Sequence, residues 1–320
     1  MPTLSPSAAL AAVALAAFGA CASDTPDGSN EGAPAGPPPT VAVVTVVPGD
    51  SLARLDAGTA AAYDRITSEA RAQGIAERPY GEIVQWVGMQ LRGRPYVAGM
   101  LDAPPRETLV ADLTRFDCVL LVENVLAVAH TIAMGDTTPE AFLAEVRRMR
   151  YRGGAMDGYA SRLHYFTEWI ADNGARGVVQ DVTAEAGGVP LDKRIDFMST
   201  HRASYPRLAD DAMFAAVRRH EAALAGVEML YIPKERIAAG YAAMQPGDVV
   251  AMATSIGGLD FTHTGFVHVT GEGRSRRVGF MHASSASNEV KVSPDLSAYV
   301  RDIRNQTGIV IARPVDPRGQ

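Results

Sequence analysis

The periodicity of hydrophobic and polar positions changes once along this chain, close to residue 245. Before that point apolar residues recur every three or four positions. Between Cys118 and Ile132, Val119, Val122, Leu126 and Ala129 share one helical spacing, and Cys118, Leu121, Val125 and Ala129 share another. Residues 53–73 and 81–91 read as amphipathic helices, the second around Val84, Val87 and Leu91. Residues 138–150 form a third, with Pro139 just inside its start where a missing N–H costs nothing. Residues 159–173 and 211–225 complete the helical part, and 181–205 between them is polar and irregular. After Gln245-Pro-Gly247 short apolar runs take over: 248–253, 264–269, 278–283 and 308–313 read as strands, with a turn at Gly271-Glu-Gly273. Helices first and an antiparallel sheet afterwards predict an α+β domain. There is no internal repeat, so residues 49–320 are assigned to one domain carrying a long helical insertion at about 138–240.

The first fifty residues differ in kind. Ala8–Ala20 is a short apolar segment, too short to span a bilayer and placed like the core of an export signal. It ends in Ala17-Phe-Gly-Ala-Cys21, whose small-small-Cys ending resembles a bacterial lipobox, although Phe18 replaces the usual aliphatic and residues 1–7 hold no Lys or Arg. Residues 1–21 are therefore expected to be a signal peptide with Cys21 as a lipidation site, an ordinary cleaved secretory peptide being the alternative. Residues 22–48 are rich in Pro, Gly and Ser and cannot bury enough apolar surface to offset ordering. The apolar run 41–47 within them is either a strand or more linker. An exported chain tethered to a membrane at the cell envelope or in the periplasm is the expectation.

Composition narrows the functional classes. The 320 residues, 47% hydrophobic and 21% charged, describe a globular chain long enough for a sizeable core. A net charge of −6 gives no basic face for nucleic acid. Neither paired CxxC motifs nor a Gly-rich phosphate loop occurs, and no two of the seven histidines have zincin spacing, so neither a metal nor an organic cofactor is expected.

Nucleophilic chemistry remains. Only two cysteines are present. If Cys21 is acylated, Cys118 has no disulfide partner, and a free thiol is unusual in an exported protein. Asp117 is a suitable N-cap, which puts Cys118 in the first helical turn, where unpaired N–H groups and the helix dipole favour a thiolate. A cysteine nucleophile needs a base, and the base needs a third group to orient it. His263 opens one predicted strand and His282 lies on the next, so adjacent antiparallel strands can bring them together against a helix terminus. His268 is the rival base, but its odd separation from His263 points it to the other face. Ser284 and Ser285 lack a nucleophile elbow.

The order Pro95-Tyr96, Phe116-Asp-Cys118, Pro246-Gly-Asp-Val-Val250, His263-Thr-Gly265, His282 resembles the NlpC-type papain-like cell-wall peptidases. Arg94–Gly99, Arg150–Gly153, Tyr159–Phe166, Phe197–His201, Tyr231–Lys234, Gly258–Asp260 and His282–Ser285 are similar to a narrower branch, first catalogued as a domain of unknown function and treated as N-acetylmuramoyl-L-alanine amidase-like. The resemblance covers roughly residues 80–313. It implies a papain-like α+β fold with the nucleophile helix packed on an antiparallel sheet. By position it makes Cys118 the nucleophile, His263 the general base, His282 its orienter, and Tyr96 with the Cys118 N–H the carbonyl holders. Arg162, His164, His201 and Asp260 become candidate substrate ligands. The implied partner is peptidoglycan or its muropeptides, cut between N-acetylmuramic acid and L-Ala. Cleavage between D-Glu and the diamino acid by the same chemistry is the nearest alternative, and a non-catalytic envelope-binding module the most distant. Val119-Leu120 depart from the Ser-Gly that follows Asp-Cys in the NlpC-type pattern.

Overall fold

The computed structural model describes residues 55–319. The expected signal segment, Cys21, the linker and the run 41–47 lie outside the described residues. The helices are α1 (Ala57–Ala72), α2 (Tyr80–Gln90), α3 (Cys118–Met134), α4 (Pro139–Arg150), α5 (Phe166–Ala175), α6 (Phe197–Thr200), α7 (Asp211–Leu224) and α8 (Leu296–Asp302). Of these, α1 to α4 and α7 fall close to their predicted places, whereas α6 lies in the stretch expected to be irregular and α8 in one where no element is predicted. Their ends follow local chemistry. Asp117 caps α3 by accepting from Leu120 N at 2.8 Å, Thr138 caps α4 with Pro139 at its first position, and Gly135 closes α3 in the left-handed region.

Among the described residues the sheet has eight strands: β1 (Val179–Asp181), β2 (Val189–Pro190), β3 (Leu230–Pro233), β4 (Val249–Thr254), β5 (Phe261–Thr270), β6 (Arg277–Ser284), β7 (Glu289–Ser293) and β8 (Gln306–Pro314). All pairings are antiparallel, in the order β2-β3-β8-β4-β5-β6-β7, with β1 also on β8. This is the α+β arrangement expected. Two expectations need correction. The 138–240 insertion is not purely helical, because β1, β2 and β3 extend the sheet beyond β8. The predicted helix over 159–173 breaks: Tyr159–Ser161 is a single tight turn, Arg162 is extended and bridges to Tyr151, and α5 begins only at Phe166.

Two apolar layers sandwich the sheet. One face, with Val249, Ala251, Phe266, Met281 and Val310, packs on the helices and receives Leu121, Val125 and Ala129 of α3. The other carries Val250, Met252, Val267, Phe280, Ile309 and Ile311, covered by Leu296 and Val300 of α8 and by Ile237. The strict alternation along β4, with every residue buried, is why this strand reads as an unbroken apolar run.

Candidate active site

The site is built from a ladder that runs past the β7 edge. Tyr96 N donates to Asn288 O at 3.0 Å, Val290 N donates to Arg94 O at 2.8 Å, and Phe116 N donates to Pro95 O at 3.0 Å. Asn288 holds its turn at φ 55°, a conformation asparagine tolerates better than most residues. The segment from Arg94 to Val97 thus joins β7 on one side to Phe116 on the other, and two residues later Cys118 opens α3. Upstream, Asp112 accepts from Thr114 N and pairs with Arg115, folding the chain into the approach to Asp117. Cys118 is 6% exposed and Tyr96 is half-buried.

The sheet supplies the second half. His263 on β5 lies opposite Met252, and its Nε2 is 2.8 Å from His282 Nδ1 on β6. The two strands are registered Phe266 to Met281, so His282 is diagonal to His263 on the same face. His282 Nε2 is in turn 3.1 Å from Ser293 Oγ on β7. The Phe280 ring stacks on His282 at 4.6 Å and meets His263 edge-on at 5.6 Å, while Tyr299 of α8 sits 4.7 Å from His282. Gly265 makes room for this packing. A Cβ there would lie 2.4 Å from Met281 O and 2.8 Å from the Phe280 ring.

Burial dominates the electrostatics. His282 is pushed down to about 2, first by desolvation and then by His263 and Lys291, so it is neutral throughout the ordinary pH range. Desolvation raises the Asp117 carboxyl to about 7 against the lowering pull of its bond from Leu120 N and of Arg150.

The predicted site residues separate into two groups. His263 and His282 are brought together on the sheet face shared with Phe280 and Tyr299, and Cys118 stands at the α3 start on the strand ladder that continues from β7. His268 is half-buried and falls on the Phe266 face, opposite to His263. The four candidate substrate ligands have protein partners. Arg162 is buried, donates to Leu101 O at 2.9 Å and pairs with Asp102, over the Tyr159 ring. His164 Nε2 is 2.8 Å from Tyr159 O, and burial drives its pKa well down. Asp260 accepts from Thr167 N and Phe261 N at 2.8 Å each. His201 is exposed and stacks on Phe197 at 3.9 Å. These bonds tie the insertion to the loop before α3 and to the approach to β5.

One expectation is corrected. Cys118 is held in a disulfide rather than as the free thiol expected from an acylated Cys21. The nucleophile reading therefore rests on the helix start and the imidazole pair, not on a spare thiol. Sequence reasoning also missed Ser293. Its strand alternates Glu289-Val-Lys-Val-Ser293, but five residues after a turn gave too little pattern to read.

Among the described residues no group of three His, Cys, Asp or Glu side chains is arranged to hold a metal ion, and no helix is long and apolar enough to cross a membrane. What fold and site define together is a mixed α+β protein with a buried imidazole pair on its sheet and a cysteine opening its central helix. The chain belongs to the N-acetylmuramoyl-L-alanine amidase-like family, whose sequence model matches residues 86–309. It is similar to the crystal structure of an N-acetylmuramoyl-L-alanine amidase from Bacteroides uniformis, with 34% identity and a TM-score of 0.68 over 74% of this chain and 99% of that one. A structure called a putative xylanase from Bacteroides fragilis aligns at 32% identity and TM-score 0.63, over 71% of this chain and 99% of the other. A Legionella pneumophila protein at 20% identity and TM-score 0.61, covering 80% and 97%, shares the fold alone. A search of curated proteins finds no match.

Proposed function

We propose that this protein is a cysteine-dependent peptidoglycan amidase of the papain-like, NlpC-type kind, hydrolysing the bond between N-acetylmuramic acid and L-Ala. The observation that carries the reading is the buried 2.8 Å contact between His263 and His282, on a sheet whose ladder leads to a helix opened by Cys118. One His263 nitrogen is engaged by His282, which fixes the ring and assigns proton transfer to Nδ1. The reduced Cys118 thiol gives its proton to His263 Nδ1, and the thiolate attacks the amide carbonyl. The Cys118 N–H and Tyr96 hold the oxyanion. His263 then protonates the departing amine of the L-Ala stem, leaving a thioester on Cys118. Water, deprotonated by His263, cleaves the thioester and returns the thiol. The chemistry runs only on the reduced cysteine, so the assay contains a thiol reductant.

The family membership and the Bacteroides uniformis amidase support the scissile bond. The name of the Bacteroides fragilis neighbour is not carried over. Glycoside hydrolysis needs two carboxylates flanking the sugar bond. The acidic residues at the start of α3 are committed elsewhere, Asp117 to its N-cap and Glu123 to Arg150 and Trp169. Export belongs to the same reading, since the substrate lies outside the cytoplasm. A lipid anchor on Cys21 belongs to the same reduced state that the chemistry needs, because Cys21 is the one other cysteine of the chain.

The test is a digest of purified sacculi and soluble muropeptides under reducing conditions, read by mass spectrometry, with Cys118→Ala and Cys21→Ser beside the wild type. Stem peptides with a free L-Ala amine, released by wild type and Cys21→Ser but not by Cys118→Ala, are expected. Products cut after D-Glu move the scissile bond into the stem. Binding without any product leaves an envelope-binding module.

A further inference from the structure

We propose that Ser293 is a positioning residue that fixes the tautomer of His282 and so keeps His263 ready to take a proton. The inference deepens the cysteine-hydrolase reading and rests on it for its catalytic consequence. Its geometric basis is independent. The registers Phe266 to Met281 and Phe280 to Ser293 lay His263, His282 and Ser293 along one straight diagonal across β5, β6 and β7. Their contacts are 2.8 Å and 3.1 Å, and all three residues are buried.

A neutral imidazole has one donor and one acceptor nitrogen, so this row admits two proton arrangements. In one, His282 carries its proton on Nε2 and donates to Ser293 Oγ. Its bare Nδ1 then accepts from His263 Nε2–H, and the His263 lone pair lies on Nδ1, where a base needs it. In the other, Ser293 donates to His282 Nε2, His282 donates from Nδ1 to His263 Nε2, and the His263 proton blocks Nδ1. Only the first arrangement can also hold the imidazolium that forms when Cys118 gives up its proton. Both nitrogens of that cation donate, and His263 Nε2–H must still meet a bare nitrogen. Ser293 selects it by offering an oxygen to His282 Nε2–H. Phe280, stacked on His282 with 18° between planes, keeps the ring from turning away.

The experiment uses full-length protein labelled with 15N and long-range nitrogen–proton spectra of the imidazoles, which report each nitrogen's protonation without any turnover. Wild type and Ser293→Thr are expected to show His282 bare at Nδ1 and protonated at Nε2. Ser293→Ala is expected to show mixed tautomers and a kcat lower by about fivefold, the worth of one neutral hydrogen bond, with KM unchanged. A wild-type His282 protonated at Nδ1, or an unchanged tautomer in a folded Ser293→Ala, overturns the proposal. If Ser293→Ala does not fold, the wild-type spectrum alone decides. Tautomers that behave as expected in a protein releasing no product from any substrate overturn the hydrolase reading and leave Ser293's hold on His282 standing.

Discussion

Two buried polar clusters, one among the helices α3, α4 and α5 and one across the strands β5, β6 and β7, are built in opposite ways. Beneath α3 and α5, Glu123 and Arg150 form a charged pair at 1% side-chain exposure, with Trp169 donating to the Glu123 carboxylate and Arg150 also reaching Val110 O. Charge meets charge there, and each group has two partners. Across β5, β6 and β7, His263, His282 and Ser293 meet end to end without an ionic partner and stand among aromatic rings, and burial keeps His282 neutral. An ion pair held in this manner keeps one state. A row of neutral rings can pass a proton, because each member is at once donor and acceptor. The difference teaches that burial of a titratable group is not by itself a sign of chemistry. What separates the clusters is whether the bonds can be reversed.

Substitution should separate them most sharply at His263. His263→Ala is expected to lower amidase turnover by about 10³-fold, the contribution of a general base, and to slow alkylation of reduced Cys118 by iodoacetamide. Its thermal midpoint should stay near that of the wild type. Rapid alkylation persisting in His263→Ala would show that the imidazole does not serve Cys118 and would end the comparison. Arg150→Ala should behave in the reverse sense. It leaves the Glu123 carboxylate buried without its cation, which costs about 3–5 kcal/mol of stability, read from the urea midpoint. Arg150→Met with Glu123→Leu should recover most of that loss, because the desolvation penalty goes with both charges. Turnover per folded molecule should be unchanged in the double variant.

The sequence made the histidine cluster more legible than the ion pair. His263 and His282 announce themselves because polar residues interrupt apolar runs of period two, and two such strands joined by a short turn must be neighbours. The Asp117 cap and Pro139 were equally readable, since helix ends obey local chemistry. Glu123 and Arg150 are 27 positions apart on different helices, and nothing local tells a buried glutamate from a solvated one. The same blindness hid β1, β2 and β3, whose two to four residues carry no period, and it made Arg162 look available to a substrate. Only tertiary structure shows that Asp102 and Leu101 O already hold it.

The pH dependence sharpens the contrast from the other side. His282 has a folded pKa of about 2 against about 6.5 when unfolded, so below 6.5 the unfolded chain binds the extra proton. Its presence therefore costs no stability above pH 6.5 and about 1.4 kcal/mol for each pH unit below it, down to pH 2. His282→Asn, which keeps a side-chain acceptor and cannot titrate, should flatten the acid limb of a stability–pH curve between pH 6.5 and 4 relative to wild type. Equal slopes in the two proteins would mean that His282 is not held neutral by burial.

The smallest effect is expected where the two kinds of cluster were hardest to tell apart. Arg162 carries its cation between Asp102, Leu101 O and the Tyr159 ring. Arg162→Lys keeps the charge but loses the planar fork that serves the carboxylate and the carbonyl together. If Arg162 holds the loop before α3, the variant loses about 1–2 kcal/mol in urea titration while KM for muropeptides stays constant. If instead the guanidinium turns out to bind a stem-peptide carboxylate, KM rises with stability unaltered. A change in stability alone places Arg162 with Arg150, among the cations that hold one state.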